Sequence, residues 1–448
     1  MADCRKQKLI DLGAETLAET LLEIAVYSDT TDDLIERLIA TPKENVERFK
    51  KKLAGLKRSR RFIDWRGVGR FAQELEMLLQ DLKAGVDDPL TGAELVAAFF
   101  GTDKGIFGRC DDSSGRIGDI FRFEAKELFA EYASRCGEKE KIAKIILKLN
   151  RTDDYGVRDK LVACAGECLP ETVIRSMISE FQKRAGKEED ERKKCHHLRL
   201  VESLARQIKD ARLFEETRRE AWGELSTAAF IDIAEVYLES GEVETAYSWI
   251  MKIPQGETFQ ADERDQLLLE IYRQQGNTEK LTNLLYRRFR ACHSVNSLQK
   301  LLEVIGHDQR DEVIAAETAL ILKSTTFKES DAGFMIATGK IDAAEIYLLG
   351  RAEQLNGDHY GSLIPLAETM ASENRNLAAS LLYRSLLLSI LKRGYTKAYP
   401  YGVRYLKKLD KLSETITDWQ NFDNHKVFKA QILLTHGRKR SFWSKYEK

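Results

Sequence analysis

The spacing of apolar residues along this chain is typical of amphipathic helices. Leu17, Leu21 and Ile24 recur three to four residues apart near the amino terminus, and the same spacing returns in most later segments. Because that spacing places side chains on one helix face, it predicts helices throughout. We expect two short helices over 14–40, one from Pro42 to about Leu56 with Thr41 as its N-cap, and others at about 67–84, 91–100 (opened by Thr91 and Glu94), 117–135, 295–305, 309–323 and 376–394.

A repeat lies in the middle of the chain. Tyr237, Gly241, Ala246 and Ile250 are followed thirty-five residues later by Tyr272, Gly276, Leu281 and Leu285. A fixed period of this length predicts consecutive helix-turn-helix units, in which glycine permits the left-handed turn. A third unit is expected at Gly339 and Ala344. The spacing resembles the tetratricopeptide repeat, although Ala234 stands where that repeat has its first-helix glycine and no tryptophan matches.

The predicted fold class is therefore all-α, with helical-hairpin repeats of a tetratricopeptide-like α-solenoid and irregular helical regions at both ends. We divide the chain into an N-terminal helical region, 1–186, degenerate repeats over 187–355, and a C-terminal basic helical region, 356–448. The charged run Lys187–Lys194 marks the first boundary. The apolar helix of 376–394 should form the core of the last region, because a helix hydrophobic nearly all round is buried by several neighbours.

Composition adds an uneven charge distribution. The 448 residues contain 71 Lys or Arg and 72 Asp or Glu, which excludes a uniformly basic nucleic-acid coat. The segment 377–448 nevertheless holds fifteen basic and five acidic residues, and 43–70 holds eleven and three. The six prolines, against about 22 at average usage, favour long helices.

The carboxy-terminal segment holds the candidate ligand-binding residues, which form a basic and aromatic set. They are Arg404, Lys407, Lys408, His436, Arg438, Lys439, Arg440 and Trp443. Such residues can bind phosphate backbones, because Lys and Arg release counterions and an aromatic ring stacks on bases. The alternative is a packing role, with Phe442 and Trp443 closing the last helical groove and the cations solvated.

The amino-terminal basic segment leaves the same two readings open. Phe49, Phe62, Trp65 and Phe71 lie among or beside the cations of 43–70. They could stack on nucleic-acid bases. They could equally point inward from amphipathic helices.

No stretch predicts a reaction. The chain lacks a Gly-rich phosphate loop, GxSxG, HExxH and a local Cys-His signature, so we expect neither an enzyme nor a cofactor. Cys164 and Cys168 would share a helix face, but zinc needs two further ligands and Cys195-His196-His197 belongs to another helix. The polar run 110–115 fails as a calcium loop because Cys110 and Phe121 stand where carboxylates are required. We expect no metal site.

Seven cysteines without a CxxC or CxC pair fit reduced thiols. The first residues contain no apolar run of signal-peptide length, and nowhere do eighteen apolar residues follow one another. These features predict a cytoplasmic protein that does not enter the membrane.

The order of several motifs resembles a known but uncharacterised bacterial family of long all-helical repeat proteins. They are Leu12-Gly13-Ala14-Glu15, Asp111-Asp112-Ser113-Ser114-Gly115, Tyr155-Gly156-Val157-Arg158-Asp159, Phe428-x-x-x-Ile432 and His436-Gly437-Arg438-Lys439 before Phe442-Trp443. The chain is also similar to the helical region of some SWIM zinc-finger proteins, although the SWIM motif is absent. The resemblance implies a helical scaffold of unknown activity and no catalytic residue.

Together these patterns predict a non-catalytic protein–protein interaction scaffold. A protein or peptide would lie in a groove of the central and carboxy-terminal helices. The alternative is a nucleic-acid-binding accessory protein that uses the basic carboxy-terminal surface. Neither pattern indicates an oligomeric state.

Overall fold

A computed structural model describes residues 2–447, and the side chains of 5–28 and 31–447. In this part of the chain every regular element is a helix, and the β structure consists of one isolated bridge between Ile63 and Cys110. The all-α prediction is confirmed. Residue contacts divide the chain into two compact units, Met1–Arg264 and Asp265–Lys448.

The first unit holds seventeen described α-helices and the start of an eighteenth. They are α1 (Ala2–Asp11), α2 (Ala14–Ala25), α3 (Asp29–Ile39), α4 (Pro42–Arg58), α5 (Val68–Gly85), α6 (Pro89–Phe100), α7 (Asp103–Phe107), α8 (Arg116–Ile120), α9 (Lys126–Arg135), α10 (Lys139–Asn150), α11 (Asp159–Ala163), α12 (Ala165–Cys168), α13 (Glu171–Ala185), α14 (Glu191–Gln207), α15 (Ala211–Trp222), α16 (Thr227–Glu239), α17 (Val243–Ile250) and α18 (Ala261–Gln274). A π-helical turn, Phe121–Ala125, joins α8 to α9.

The second unit continues with ten described α-helices. They are α19 (Thr278–Ala291), α20 (Val295–Ile305), α21 (Arg310–Lys323), α22 (Glu329–Ala337), α23 (Ile341–Leu349), α24 (Tyr360–Ser372), α25 (Asn376–Arg393), α26 (Tyr399–Ser413), α27 (His425–His436) and α28 (Arg440–Tyr446). Short 3₁₀ turns occupy His307–Gln309, Ala352–Gln354 and Thr396–Ala398.

Two helix starts test the capping predictions. Thr41 accepts a hydrogen bond from the backbone N–H of Glu44, whose side chain accepts from the Thr41 N–H, so the predicted N-cap of α4 is confirmed. The predicted capping by Thr91 is wrong. Asp88 is the N-cap of α6, and its carboxylate accepts from the Thr91 N–H at 2.8 Å, because Pro89 lets the helix begin earlier.

The predicted repeat turns share one backbone geometry. Gly241, Gly276 and Gly339 all have positive φ. At each turn the N–H of the next residue donates to the C=O five positions back, as from Glu242 to Tyr237 at 2.9 Å. This is the Schellman arrangement, which satisfies carbonyls at a helix end. The third unit predicted at Gly339 is confirmed.

Two further turns have the same geometry without glycine. Lys209 and Asn374 have φ values of 56° and 60°, and the next residue in each donates five positions back. With Gly306, at φ 108°, helix-to-helix turns recur about every thirty to thirty-five residues from 209 to 374. The array of helical hairpins therefore extends further along the chain, at both ends, than the three glycines indicate.

The apolar helix expected at 376–394 is α25. Twelve of its eighteen residues are buried, and it packs against both α24 and α26. It forms the core of the second unit, which the sequence predicted for the carboxy-terminal region. The predicted boundaries at 187 and 356 remain predictions. Lys187–Lys194 spans the turn between α13 and α14, which pack together, and the first turn of α14, whose N-cap is Asp190.

Candidate functional site

The carboxy-terminal helices α26, α27 and α28 carry the candidate residues, and a buried aromatic residue holds two of these helices together. Phe442 of α28 is fully buried and meets Tyr399 of α26 edge to face, with ring centroids 5.6 Å apart. A Cβ atom at Gly402 would lie 3.0 Å from the Phe442 ring, so glycine permits this close approach.

A carboxylate ties all three helices together. Asp410 of α26 accepts hydrogen bonds from His425 Nε2 and Lys429 Nζ of α27, each at 2.8 Å, and from the Tyr446 hydroxyl of α28 at 2.5 Å. Burial alone would raise the pKa of Asp410, but these three donors stabilise its charged form and lower the pKa. Lys429 is therefore a structural cation.

Two of the predicted ligand-binding residues, both half-buried, are engaged by other residues of the chain. Trp443 Nε1 donates to the His436 carbonyl at 3.0 Å, and its ring packs edge to face on Phe442. Lys408 donates to the Tyr383 hydroxyl at 2.9 Å and to Glu368 at 3.0 Å. Burial opposes the charge of Lys408, but these hydrogen bonds outweigh it and raise its pKa.

The other members of the predicted set differ in exposure. Arg404, Lys407, Arg438 and Arg440 are exposed, whereas His436 and Lys439 are half-buried. The Arg404 guanidinium lies over the ring of Tyr401, 5.6 Å from its centroid. Burial and the charge of Lys439 lower the pKa of His436. Four exposed cations thus remain from the eight predicted residues.

An apolar face on α27 is the feature that sequence reasoning missed. Phe428 and Ile432 are buried, while Leu433 is 54% exposed and Leu434 is 89% exposed. Val427, seven residues before Leu434 and therefore on the same face, is also exposed. The signal was present, since α27 has apolar residues on opposite faces and its neighbours can cover only one.

The amino-terminal basic segment contributes two inward and two outward aromatics. Phe49 and Phe71 are buried, whereas Phe62 and Trp65 are exposed, with the Arg66 guanidinium 5.2 Å from the Trp65 ring centroid. The inward-packing interpretation therefore describes Phe49 and Phe71, and only Phe62 and Trp65 are exposed as base stacking would require.

A cleft of about 980 Å³ lies beside this segment, between α4 and α5. Buried Arg109 contributes to its wall, with its guanidinium 5.2 Å from the ring centroid of Phe71. Its Nη1 donates to the Arg61 carbonyl, but Nε and Nη2 have no acceptor among the described residues. Burial lowers the pKa of Arg109. Because the two unpaired donors are shielded from solvent, we assign no ligand to the cleft.

The two thiols considered as metal ligands are buried. Cys164 and Cys168 lie at the ends of α11 and α12, two short helices where the sequence predicted one. Burial raises the pKa of Cys164 to about 12 and that of Cys168 to about 11. Within the described part of the chain, no three His, Cys, Asp or Glu residues form a group that could hold a metal ion. None of the helices described over 2–447 has the length and apolarity to cross a bilayer.

Comparison with known proteins identifies a family but no activity. No curated protein matches the sequence. A solved structure described as a circular tandem repeat protein with novel repeat topology and enhanced subunit contact surfaces is 14% identical, over 83% of this chain and 75% of that one, with a TM-score of 0.11. Likeness to SWIM zinc-finger proteins is not shown. The family match covers residues 4–445, and the chain belongs to a family of unknown function, DUF6880.

Proposed function

We propose that this protein is a non-catalytic scaffold of helical-hairpin repeats that binds another protein. Its binding surface is the outer side of α27 and α28, here called the cationic face: exposed Val427, Leu433 and Leu434, with Arg438 and Arg440 nearby in the chain. The exposure of adjacent Leu433 and Leu434 carries the proposal. Clustered apolar residues on a surface mark interaction sites.

The charge of this face defines the chemistry of its partner. Residues 425–446 include six Lys or Arg and no Asp or Glu. Of these six, Lys429 is held by Asp410, whereas Arg438 and Arg440 are exposed. The partner that fits is a protein surface with apolar side chains bordered by carboxylates, because opposite charges orient an encounter and apolar burial supplies affinity.

We also propose that the protein is bacterial and cytoplasmic, and that its helical hairpins are tetratricopeptide-like repeats. The cysteines whose side chains are described are all free thiols, which fits a reducing compartment; Cys4 lies outside that set. The recurrent Schellman turns support the tetratricopeptide-like comparison.

Site-directed photo-cross-linking in cells tests the proposal. A benzophenone amino acid replaces Leu434 in the full chain, and the control carries it at Glu414, an exposed position just after α26. We expect protein adducts from position 434, few from 414, and a loss of adducts when Arg438→Glu and Arg440→Glu are added. Equal labelling from both positions, or no protein adduct at 434, would contradict the proposal.

The exposed cations favour nucleic acid as a second candidate partner. Arg404, Lys407, Arg438 and Arg440 could bind phosphates, but half-buried Trp443 packs on Phe442 and its indole N–H is occupied. Fluorescence anisotropy with labelled single- and double-stranded nucleic acid tests this candidate. Binding that weakens steeply with salt, and further on changing Arg438, Lys439 and Arg440 to Ala, would support it. No binding at low salt would exclude it.

A further inference from the structure

The amino-terminal helices α2 and α3 present a second apolar surface, here called the acidic face. Val26 and Tyr27 follow α2 and are 77% and 87% exposed; Leu38 and Ile39 end α3 and are 68% and 72% exposed. No residue of α2 is buried, although its sequence is amphipathic. An amphipathic helix in water normally covers its apolar side, so this face lacks a partner in the single chain.

The charge on the acidic face is opposite to that on the cationic face. Residues 14–39 contain seven Asp or Glu and a single basic residue, Arg37. Arg37 does not offset them at the surface, because it donates to Asp81 at 2.8 Å and to Gln80 at 2.7 Å. Lys52 of α4 pairs with Asp33 at 3.0 Å, so the acidic excess of this face comes from the other carboxylates. Glu15, Glu19 and Glu23 are all exposed, and the sequence of α2 contains no Lys or Arg.

The two faces combine exposed apolar residues with opposite charge: residues 14–39 hold seven carboxylates, and residues 425–446 hold six cations. An apolar surface with an excess of one charge binds a surface with the opposite excess better than it binds a copy of itself.

We propose that the acidic face of one copy docks on the cationic face of a second copy of this chain. This inference rests on the proposed function and names the partner of the same surface. Contact between two different faces is heterologous, so a bound pair keeps one free acidic face on one copy and one free cationic face on the other. Such contacts continue into a ring or an open chain. Pairing of two acidic faces would place like charges together and is disfavoured.

Sedimentation velocity of the full chain over a concentration series measures this association. We expect the sedimentation coefficient to rise with concentration at about 0.1 M salt. The rise should shrink at about 1 M, where the screening length falls from about 10 to about 3 Å. Absence of a rise at every soluble concentration would overturn the inference.

Paired variants identify the two faces. One carries Val26→Ser and Tyr27→Ser, and the other carries Leu433→Ser and Leu434→Ser; all four side chains are exposed, so the fold should persist. Each variant alone should stay monomeric. Their mixture should form a 1:1 dimer that grows no further, because each supplies one intact face. A control with Met251→Ser and Phe259→Ser, also exposed, should associate like the parent chain.

The mixture separates docking from misfolding, because a misfolded variant cannot restore the dimer. If the mixture remains monomeric while the parent associates, the proposed pairing of faces is wrong. The benzophenone at position 434 separates this inference from the proposed function. Adducts to residues 14–39 of a second copy of this chain support both the proposed function and self-docking. Adducts only to another protein overturn self-docking alone. The absence of protein adducts contradicts both proposals.

Discussion

Arg158 and Asp103, which lie fifty-five positions apart in the sequence, form a buried bidentate ion pair. The Arg158 Nε donates to Asp103 Oδ2 at 2.7 Å, and Nη2 donates to Oδ1 at 2.6 Å. Nη1 donates to the Leu149 carbonyl and the Thr152 hydroxyl. The pair fastens the turn before α11 to the start of α7, so Arg158 of the Tyr155-Gly156-Val157-Arg158-Asp159 motif has a structural role.

Replacing Arg158 with Met should destabilise the first unit strongly. It leaves the Asp103 carboxylate buried without its cation, and breaking such a pair costs about 3–5 kcal/mol. The control is Arg175→Met. Arg175 forms an exposed ion-pair cluster with Glu171 and Asp210, so its removal should destabilise the chain much less than removal of Arg158. Urea denaturation followed by circular dichroism compares the two.

The double variant Asp103→Leu with Arg158→Met tests the reason for the loss. It removes both charges, so it should recover much of the stability that Arg158→Met loses. Equal midpoints for Arg158→Met and Arg175→Met would show that burial of the pair is unimportant.

Replacing a turn glycine with alanine should lower the free energy of unfolding, and a glycine inside the preceding helix provides a matched control. Gly339, after α22, has φ 76°, whereas Gly333 lies inside α22 in helical conformation, and an added Cβ at either position meets nothing within 4 Å. Gly339→Ala should therefore destabilise by about 1–2 kcal/mol through backbone strain alone. Gly333→Ala should stabilise by up to about 1 kcal/mol through helix propensity. Thermal unfolding of both variants checks these opposite signs; a shift in the same direction would contradict the argument.

These turns also show what the sequence could predict. Glycine marks a left-handed residue because other residues resist that conformation, so Gly241, Gly276 and Gly339 were recognisable. Asn374 was hidden because asparagine is common in many settings, although buried Ala379 follows it by five residues, as Ala246 follows Gly241. A special backbone conformation was thus predictable from the sequence wherever almost a single residue type adopts it.

The candidate surface was less predictable, because exposure depends on neighbours distant in sequence. Lys408 and Arg404 both read as surface cations, but Glu368 and Tyr383 of α24 and α25 engage only Lys408. Leu434 is a large apolar residue in a helix, yet it is 89% exposed. Helical periodicity gives the face of a residue; which faces another helix covers is a tertiary property.

The Asp410 network should make the carboxy-terminal helices sensitive to acid. The pKa of Asp410 is lower in the folded chain than in the unfolded chain, so its stabilising effect is complete above the unfolded value. The effect is lost as the pH falls through the folded value. Asp410→Asn should cost about 1–3 kcal/mol at pH 7, because the donors from Lys429, Tyr446 and His425 lose a charged acceptor.

Urea midpoints measured from pH 7 to pH 2 check this prediction. The difference between the parent chain and Asp410→Asn should narrow as the pH falls below about 4. Glu414→Gln, which changes an exposed carboxylate just after α26, should follow the parent at every pH. A constant difference between the parent and Asp410→Asn down to pH 2 would mean that the charge of Asp410 is not what stabilises these helices.

The cysteines should differ widely in reactivity towards alkylating agents, because the thiolate is the nucleophile. Cys292 is exposed, whereas Cys164 and Cys168 are buried with pKa values raised to about 12 and about 11. At pH 9 a thiol of pKa about 12 is ionised in about one molecule in a thousand. Iodoacetamide should therefore label Cys292 in the native chain and reach the other two only in urea, as peptide mass spectrometry would show. Fast native labelling of Cys164 or Cys168 would mean that α11 and α12 open readily, and the packing of α12 on α9 and α14 would then be too weak to bury them.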